Sequence, residues 1–326
     1  MKRKMLKKDA LLKVLATDEK RAFYILNIIF EIEVRKKAGQ RTLLIIDDAA
    51  DSFDYKNKYA IIQYLKEIAE DDNFWHIILT RNFDFRRTIQ SRFVNCKSCF
   101  MVTRKEDRIA ISRAVGIKNV FVNDWKTQFG YEPRKRIACI PLMRNLVEFT
   151  KGKDNPNYVK PTSLLHIKDN TGDFQDGDLF EIHKNIFGEL PANMDPFKGT
   201  VPDLVFKEAD GCLNDGYSAN FESKIVLLIA VRLRAEQYML RRISDSTLPG
   251  TITGNQTTEL PNRLRRNFPN DAEIATMDRI VLMSPENLHL NSFMYEPVLD
   301  MSDEHLRKTY SDVNAFRPEF HHGGIP

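Results

Sequence analysis

Thr42-Leu43-Leu44-Ile45-Ile46-Asp47-Asp48-Ala49-Ala50-Asp51-Ser52-Phe53-Asp54 is the stretch on which the fold turns. A run of strand-forming residues leads into two adjacent carboxylates, and a short turn then ends in further acids. Such a run, bounded by polar residues, reads as a strand buried on both faces, as in a parallel sheet. Acids at the carboxyl end of that strand stand where open α/β sheets place their ligands. Side chains alternate along a strand, so Asp47 and Asp48 point in different directions, which suits two roles. One can hold a magnesium ion through water while the other handles an attacking water. The plainer alternative is a strand end followed by an acid-rich helix start.

Working outward, an apolar helix runs from Ala22 to about Lys37, opened by Leu15-Ala16-Thr17-Asp18-Glu19-Lys20-Arg21. Thr17 can cap it, Asp18 and Glu19 suit its positive end, and Gly39 ends it after three basic residues. Downstream, Asp54 opens a helix with Tyr59, Ile62, Tyr64, Leu65 and Ile68 at helical spacing. A second strand, Trp75 to Thr80, follows. Asn82 or Asp84 caps a helix through about Phe93, and Phe100–Thr103 and Arg108–Ser112 read as strands around a charged turn. Strand, helix, strand, helix, strand is the grammar of a doubly wound sheet. Beyond Val122 the apolar spacing becomes helical. The expected architecture is α/β, a partial parallel sheet over residues 1–125 followed by a mostly helical region, 126–326. In that second region a helix is expected to begin at Pro141. The longest is expected over Phe221–Ile243, a polar linker over Ser244–Thr258, and further helices at 259–267, 271–282 and 302–315.

The order of these elements resembles the C-terminal half of an ABC-type ATPase domain, in the SMC/RecF-like, AAA-class branch found in DNA repair and phage defence. Leu15 to Lys20 resembles a degenerate LSGGEK signature, with Thr17 and Asp18 in the glycine positions and Ala16 in that of serine. Leu43 to Asp48 resembles a Walker B strand, Asp51-Ser52-Phe53-Asp54 a D-loop, and Leu79-Thr80-Arg81 a switch strand that usually carries histidine. Asn291 to Pro297 is similar, less specifically, to the helical end of large bacterial AAA-class ATPases. The resemblance implies that Asp47 holds Mg2+ through water, that Asp48, where glutamate is usual, positions the attacking water, and that Asp54 communicates across a dimer. Thr17, Lys20 and Arg81 would face ATP. It also implies a P-loop fold. Yet the sequence contains no G-x-x-x-x-G-K-[ST], the loop whose backbone amides cradle the phosphates. What the resemblance implies is therefore an ATPase subunit that needs a Walker A-bearing polypeptide or homologous ATPase, in an oligomer, with DNA as a further partner. The rival class is a non-catalytic interaction protein that keeps the fold.

Composition narrows the field without choosing. A hydrophobic content of 42% with 29% charged residues is that of a globular protein, and a net charge of +4 provides no global basic field. The first 21 residues carry eight Lys or Arg against three acids, read as a solvated helix face. No signal peptide is expected, and Ile225–Val231, the longest apolar run, is too short to span a bilayer, so the expected compartment is the cytoplasm with no membrane partner. Cys96 and Cys99 form a lone C-x-x-C, half of a zinc ligand set, and are read as structural thiols.

Other chemistries stand or fall on the residues that would carry them. Pro202-Asp203 followed by Glu222-Ser223-Lys224 matches PD-(D/E)xK, a nuclease motif that needs the acid and the lysine on a strand sharing a metal. Arg317 to His322 has the R-x4-H spacing of HEPN ribonucleases, in a tail with proline and glycine. Asp169 to Asp173 begins like an EF-hand loop but lacks its later glycine and glutamate. Arg241, Arg242, Arg263, Arg265 and Arg266 are candidate phosphate contacts, against ordinary helix surface. For Arg81 the plain alternative is neutralisation of nearby acids.

Overall fold

The apolar run does form a strand. The computed structural model describes residues 17–48, 55–104, 108–114, 121–191, 193–215, 221–245, 247–252, 254, 256–285, 298 and 301–316. The chain divides into two compact units, Met1–Cys99 and Phe100–Pro326.

In the first unit α1 (Thr17–Lys37) leads into β1 (Thr42–Asp47), then α2 (Tyr55–Ala69), β2 (Phe74–Leu79) and α3 (Phe83–Arg92). The chain reverses after α1 at Gly39, whose φ of 60° lies in the left-handed region open to glycine. β1 and β2 pair in parallel, with Thr42 opposite Phe74 and Asp47 opposite Leu79. Parallel strands need a crossover, and α2 supplies it. Alternation along both strands sends Leu44, Ile46, Phe74 and Ile78 toward the helices. Ile46 and Ile78 pack on Ile62, Leu65, Phe85 and Ile89, while Leu44 joins Ile32, Ile68 and Phe74. α3 starts as its sequence requires: the Asn82 side chain accepts from the backbone N–H of Phe85 at 2.8 Å.

The opposite face differs from the expectation of a strand buried on both sides. Leu43, Ile45, Trp75, Ile77 and Leu79 are 45–65% exposed. They lie side by side, Leu43 beside Trp75 and Ile45 beside Ile77. Among the described residues the parallel sheet has two strands, and its bare face is apolar. The expected third and fourth strands do not extend it. β3 (Phe100–Arg104) and β4 (Ile109–Arg113) pair with each other as an antiparallel hairpin. Four connecting residues are too few for the crossover that parallel pairing demands, so the two runs fold back on each other.

The second unit is helical beyond the hairpin: α4 (Pro133–Lys151), α5 (Pro156–Leu164), α6 (Asp176–Phe187), α7 (Val201–Asn214), α8 (Phe221–Ile243), α9 (Gln256–Asn267), α10 (Ile274–Pro285) and α11 (Asp303–Ala315). α8 is buried on all sides over most of its length, the signature of a central helix, and packs against α4, α7, α9, α10 and α11. α4 begins at Pro133 rather than Pro141. Pro133 takes the first-turn position, and Pro141 stands in the interior at the cost of one backbone hydrogen bond. Burial of nearly every residue from Arg136 to Val147 holds the helix through it. Ser244–Thr258 is only partly a linker: a short helix, Leu248–Thr251, buries Leu248, and α9 starts at Gln256. Among the described residues no helix is long and apolar enough to cross a membrane.

Candidate functional site

The carboxyl ends of β1 and β2 bring Asp47, Asp48 and Arg81 together. Past the last paired residues, Asp48 N–H still donates to the Leu79 carbonyl at 3.0 Å, which extends the parallel ladder by one bond. Asp48 then turns the chain with φ of 45°, a left-handed conformation that a short polar side chain tolerates. Its carboxylate is held from both sides by one residue: Oδ1 accepts from the Arg81 backbone N–H at 3.1 Å, and Oδ2 accepts from Arg81 Nε at 3.0 Å. The Arg81 side chain is 82% exposed and that of Asp48 28%. Next along β2, the Thr80 hydroxyl accepts from Asn82 N–H at 3.0 Å, which ties the strand end to the α3 cap.

Asp47 stands apart from this clasp. It is exposed, shares the bare side with Leu43 and Ile45, and its carboxylate accepts no hydrogen bond from a described residue. The opposed directions expected of the two aspartates are thus present. One is engaged and one open.

The other residues expected to face ATP are more scattered. Thr17 is the first residue of α1, and Lys20 is exposed in the same first turn. Asp54 and the rest of the expected D-loop lie outside the described residues, as do Asn291–Pro297, apart from its last position's neighbour Val298, and Arg317–His322. A magnesium ion bound through water needs only one or two protein carboxylates beside substrate phosphates. The open Asp47 fits that demand. Among the described residues no group of three or more His, Cys, Asp or Glu gathers as a self-sufficient metal site.

The nuclease residues are not assembled. Asp203 closes the capping box of α7, accepting from the Thr200 hydroxyl at 2.6 Å. Glu222 and Lys224 lie on α8 rather than on a strand, and two residues along a helix is a turn of about 200°. Lys224 Nζ donates to the Met301 carbonyl at 2.6 Å and pairs with Asp303. Glu222 lies on another side, where burial pushes its pKa up against the pull of Lys135. The Asp169–Asp173 stretch contains a 3₁₀ turn, and its Thr171 hydroxyl lies within hydrogen-bond reach of the Ser163 carbonyl in α5 at 2.7 Å and the His166 carbonyl at 2.9 Å, which ties the stretch back to the preceding helix. Cys96 is exposed, Cys99 buried, and all four cysteines are free. Of the candidate phosphate contacts, Arg263 is paired with Glu259, Arg265 with Asp278, and Arg242 with Asp271 while it stacks on Phe268. Arg241 and Arg266 are exposed.

Two buried polar clusters of the second unit had no forecast in the sequence. Arg136 and Asp176, both fully buried, form a two-point ion pair at 2.9 Å on each arm. Arg136 also donates to the Phe129 and Gly130 carbonyls, and Asp176 accepts from Phe197 N–H at 2.7 Å. In the other cluster Glu236 accepts from Ile167 N–H at 2.7 Å and Gln256 Nε2 at 2.8 Å, and meets His166 Nδ1 at 2.8 Å. Arg232 Nη2 lies 2.9 Å from His166 Nε2 and also touches the Thr257 hydroxyl. A guanidinium only donates, so Nε2 accepts and the proton sits on Nδ1, facing the carboxylate. Burial, aided by Arg232 and Lys168, pushes the His166 pKa below its ordinary value despite Glu236. Burial alone would raise Glu236, but His166, Arg232 and the Ile167 amide hold it below the usual range. The one sequence signal was Arg232 and Glu236 four apart within an apolar helix. These clusters hold α4 to α6 and α8 to the loop before α6; in the second, the buried Gln256 Oε1 is left without a hydrogen-bond partner among the described residues.

No protein-family model, no curated protein and no solved structure matches this chain.

Proposed function

We propose that the first unit is the Walker B side of an ATPase lobe, completed by a Walker A-bearing polypeptide in an oligomeric assembly of the DNA-repair or phage-defence kind. The observation that carries this reading is the parallel β1–α2–β2 unit. It presents two carboxylates of opposed direction at its ligand-bearing end, with an apolar face left bare. A parallel sheet is normally covered on both faces, so the unit has the form of part of a larger one. In the completed site Asp47 holds Mg2+ through water and Asp48 positions the attacking water. ATP and its phosphates are gripped by the partner, since this sequence has no phosphate loop. Lys20, Thr17 and Arg81 are the remaining candidates for phosphate contact, and Asp54 for communication between subunits. Mg2+, when bound, neutralises charge on the phosphates. DNA is proposed as a partner of the assembly, and the cytoplasm as its compartment.

The test is reconstitution with the polypeptide that supplies G-x-x-x-x-G-K-[ST], followed by phosphate release. Asp48→Asn abolishes turnover; undiminished hydrolysis by that variant ends the split-enzyme reading. One observation favours a second reading, a non-catalytic interaction protein. Both oxygens of Asp48 are already taken by Arg81. Under that reading the assembly forms and no combination of subunits releases phosphate.

A further inference from the structure

Cys96 and Cys99 take no part in the nucleotide chemistry proposed at the rim, and the fold sets them close together. The chain leaves α3 through Phe93 and Val94, which pack against Ile62, Leu65, Phe85 and Ile89. Asn95 then caps a single 3₁₀ turn, Cys96–Ser98, its side chain accepting from Lys97 N–H at 2.9 Å. Cys99 N–H closes the turn by donating to the Cys96 carbonyl at 3.2 Å. Side chains three apart in a 3₁₀ turn eclipse, and their Cα atoms lie about 6 Å apart, inside the span of roughly 4.4–6.8 Å that disulfides use. Both sulfurs lie against one residue: Cys96 Sγ is 3.7 Å from Asn95 Oδ1, and Cys99 Sγ is 3.7 Å from the Asn95 carbonyl oxygen.

The two thiols differ in access. Cys96 is exposed, whereas Cys99 is buried at 8% exposure. A reagent in solution therefore meets Cys96 first, and the shielded Cys99 is left to act on Cys96. A structural zinc ion needs two ligands more, and among the described residues no third His, Cys, Asp or Glu joins the pair. Cys139 and Cys212 are fully buried and do not compete.

We propose that Cys96 and Cys99 form a reversible thiol–disulfide site whose co-substrate is a low-molecular-weight disulfide. Cys96, as its thiolate, attacks one sulfur of that disulfide; the reagent's S–S bond breaks, a thiolate leaves, and a mixed disulfide stays on Cys96. The Cys99 thiolate then attacks Cys96 Sγ. The mixed disulfide breaks, a second thiolate leaves, and the Cys96–Cys99 bond forms. Protons lost by the two cysteines end on the two released thiols, so the pair gives up two electrons and the reagent takes them. In a reducing compartment such a pair rests as the dithiol and is oxidised when the disulfide pool rises, which is how a sensor behaves.

The test incubates the full chain with oxidised glutathione at about pH 8, where ordinary thiols ionise appreciably. Samples are quenched in acid and digested for mass spectrometry. The wild type is expected to lose two hydrogens and to yield a linked Cys96–Cys99 peptide with no lasting glutathione adduct. Cys99→Ser removes the resolving thiol and is expected to hold the adduct on Cys96. Cys96→Ser is expected to react about tenfold more slowly than the wild type, since its remaining thiol of the pair is shielded.

Nearness in sequence gives some closure in any chain, so the same glutathione buffer is applied in urea that unfolds the protein. The folded turn has already ordered the two intervening residues. Its ratio of disulfide to dithiol at equilibrium should therefore be about tenfold higher than that of the unfolded chain. A lasting adduct on wild-type Cys96, or a folded chain no more oxidised than the unfolded one, overturns the proposal. Equal rates in Cys96→Ser and the wild type overturn it as well. Cys99 is buried, so should its serine variant not fold, the wild-type comparison in and out of urea decides alone.

Discussion

Ile45→Ser separates a face that is bare from one that is interior. Ile45 is 65% exposed in the chain alone, in the middle of the apolar patch. Full burial of an isoleucine is worth about 1.5–3 kcal/mol, so about two thirds of that, 1–2 kcal/mol, is still unrealised at this position. Serine removes little that the isolated chain was using. Its unfolding free energy is expected to move by no more than about 0.5 kcal/mol, the range of ordinary surface substitutions. In the assembled lobe the same change removes the contact, and affinity for the completing polypeptide should fall by about 1–2 kcal/mol, or roughly 5- to 30-fold. The first number comes from urea unfolding of the isolated chain, followed at Trp75 in the same unit. The second comes from titration of the partner. On the covered side of the same strand the counterpart is Ile46, which packs against α2 and α3. Ile46→Ser is therefore the internal control and should destabilise the isolated chain by more than about 1 kcal/mol. If Ile45→Ser destabilises the isolated chain as much as Ile46→Ser does, the face is not bare and the reasoning fails.

Two further predictions concern the second unit. Asp176→Ala leaves the fully buried Arg136 without its carboxylate and should cost about 3–5 kcal/mol, read from unfolding followed at Trp125; the pair Arg136→Met, Asp176→Leu should recover most of it, and a double variant as unstable as the single one would refute the assignment. His166 contributes stability with a definite sign. Because burial depresses its folded pKa, the unfolded chain takes up the proton first, so the contribution is complete above about pH 6.5 and is lost as pH falls from there through the folded pKa. The urea midpoint should therefore drop between about pH 7 and pH 5, and the difference between wild type and His166→Gln should shrink over that window; a difference that is flat with pH would rule the proton out.

Much of the secondary structure was legible because its causes are local. Thr42–Ile46 reads as a strand from its composition, Asn82 as one of two candidate caps from its position, and Phe221–Ile243 as a helix from an unbroken apolar pattern. The bare face was not legible, since an apolar run looks the same whether or not anything covers its second side. Cover is supplied from elsewhere in space. The link between Phe100–Thr103 and Arg108–Ser112 is legible as a turn, and the two runs pair across it. That the pair stands apart from the parallel sheet is not legible, because the rhythm of strand and helix is the same whichever sheet a strand joins. Pro141 misled because Pro133 satisfies the same first-turn preference, and the burial that carries the helix onward is a tertiary effect. At the rim, both aspartates could be read from sequence. The grip of Arg81 on Asp48 spans 33 positions and depends on the parallel register that sets Asp47 opposite Leu79; for that arginine, expected to face ATP, neutralisation of an acid was the alternative reading. The buried Arg136–Asp176 pair left no local trace at all.

The backbone at Asp48 bears on why the chain has an aspartate where its resemblance suggests glutamate. With φ of 45° the residue occupies ground that favours side chains able to fold back onto nearby amides. One more methylene would carry the carboxylate past the Arg81 amide that it now reaches and would give up that compensation. The shorter acid is thus matched to the bend, and installing the glutamate is no repair: lengthening the side chain would first have to unmake the corner it stands on.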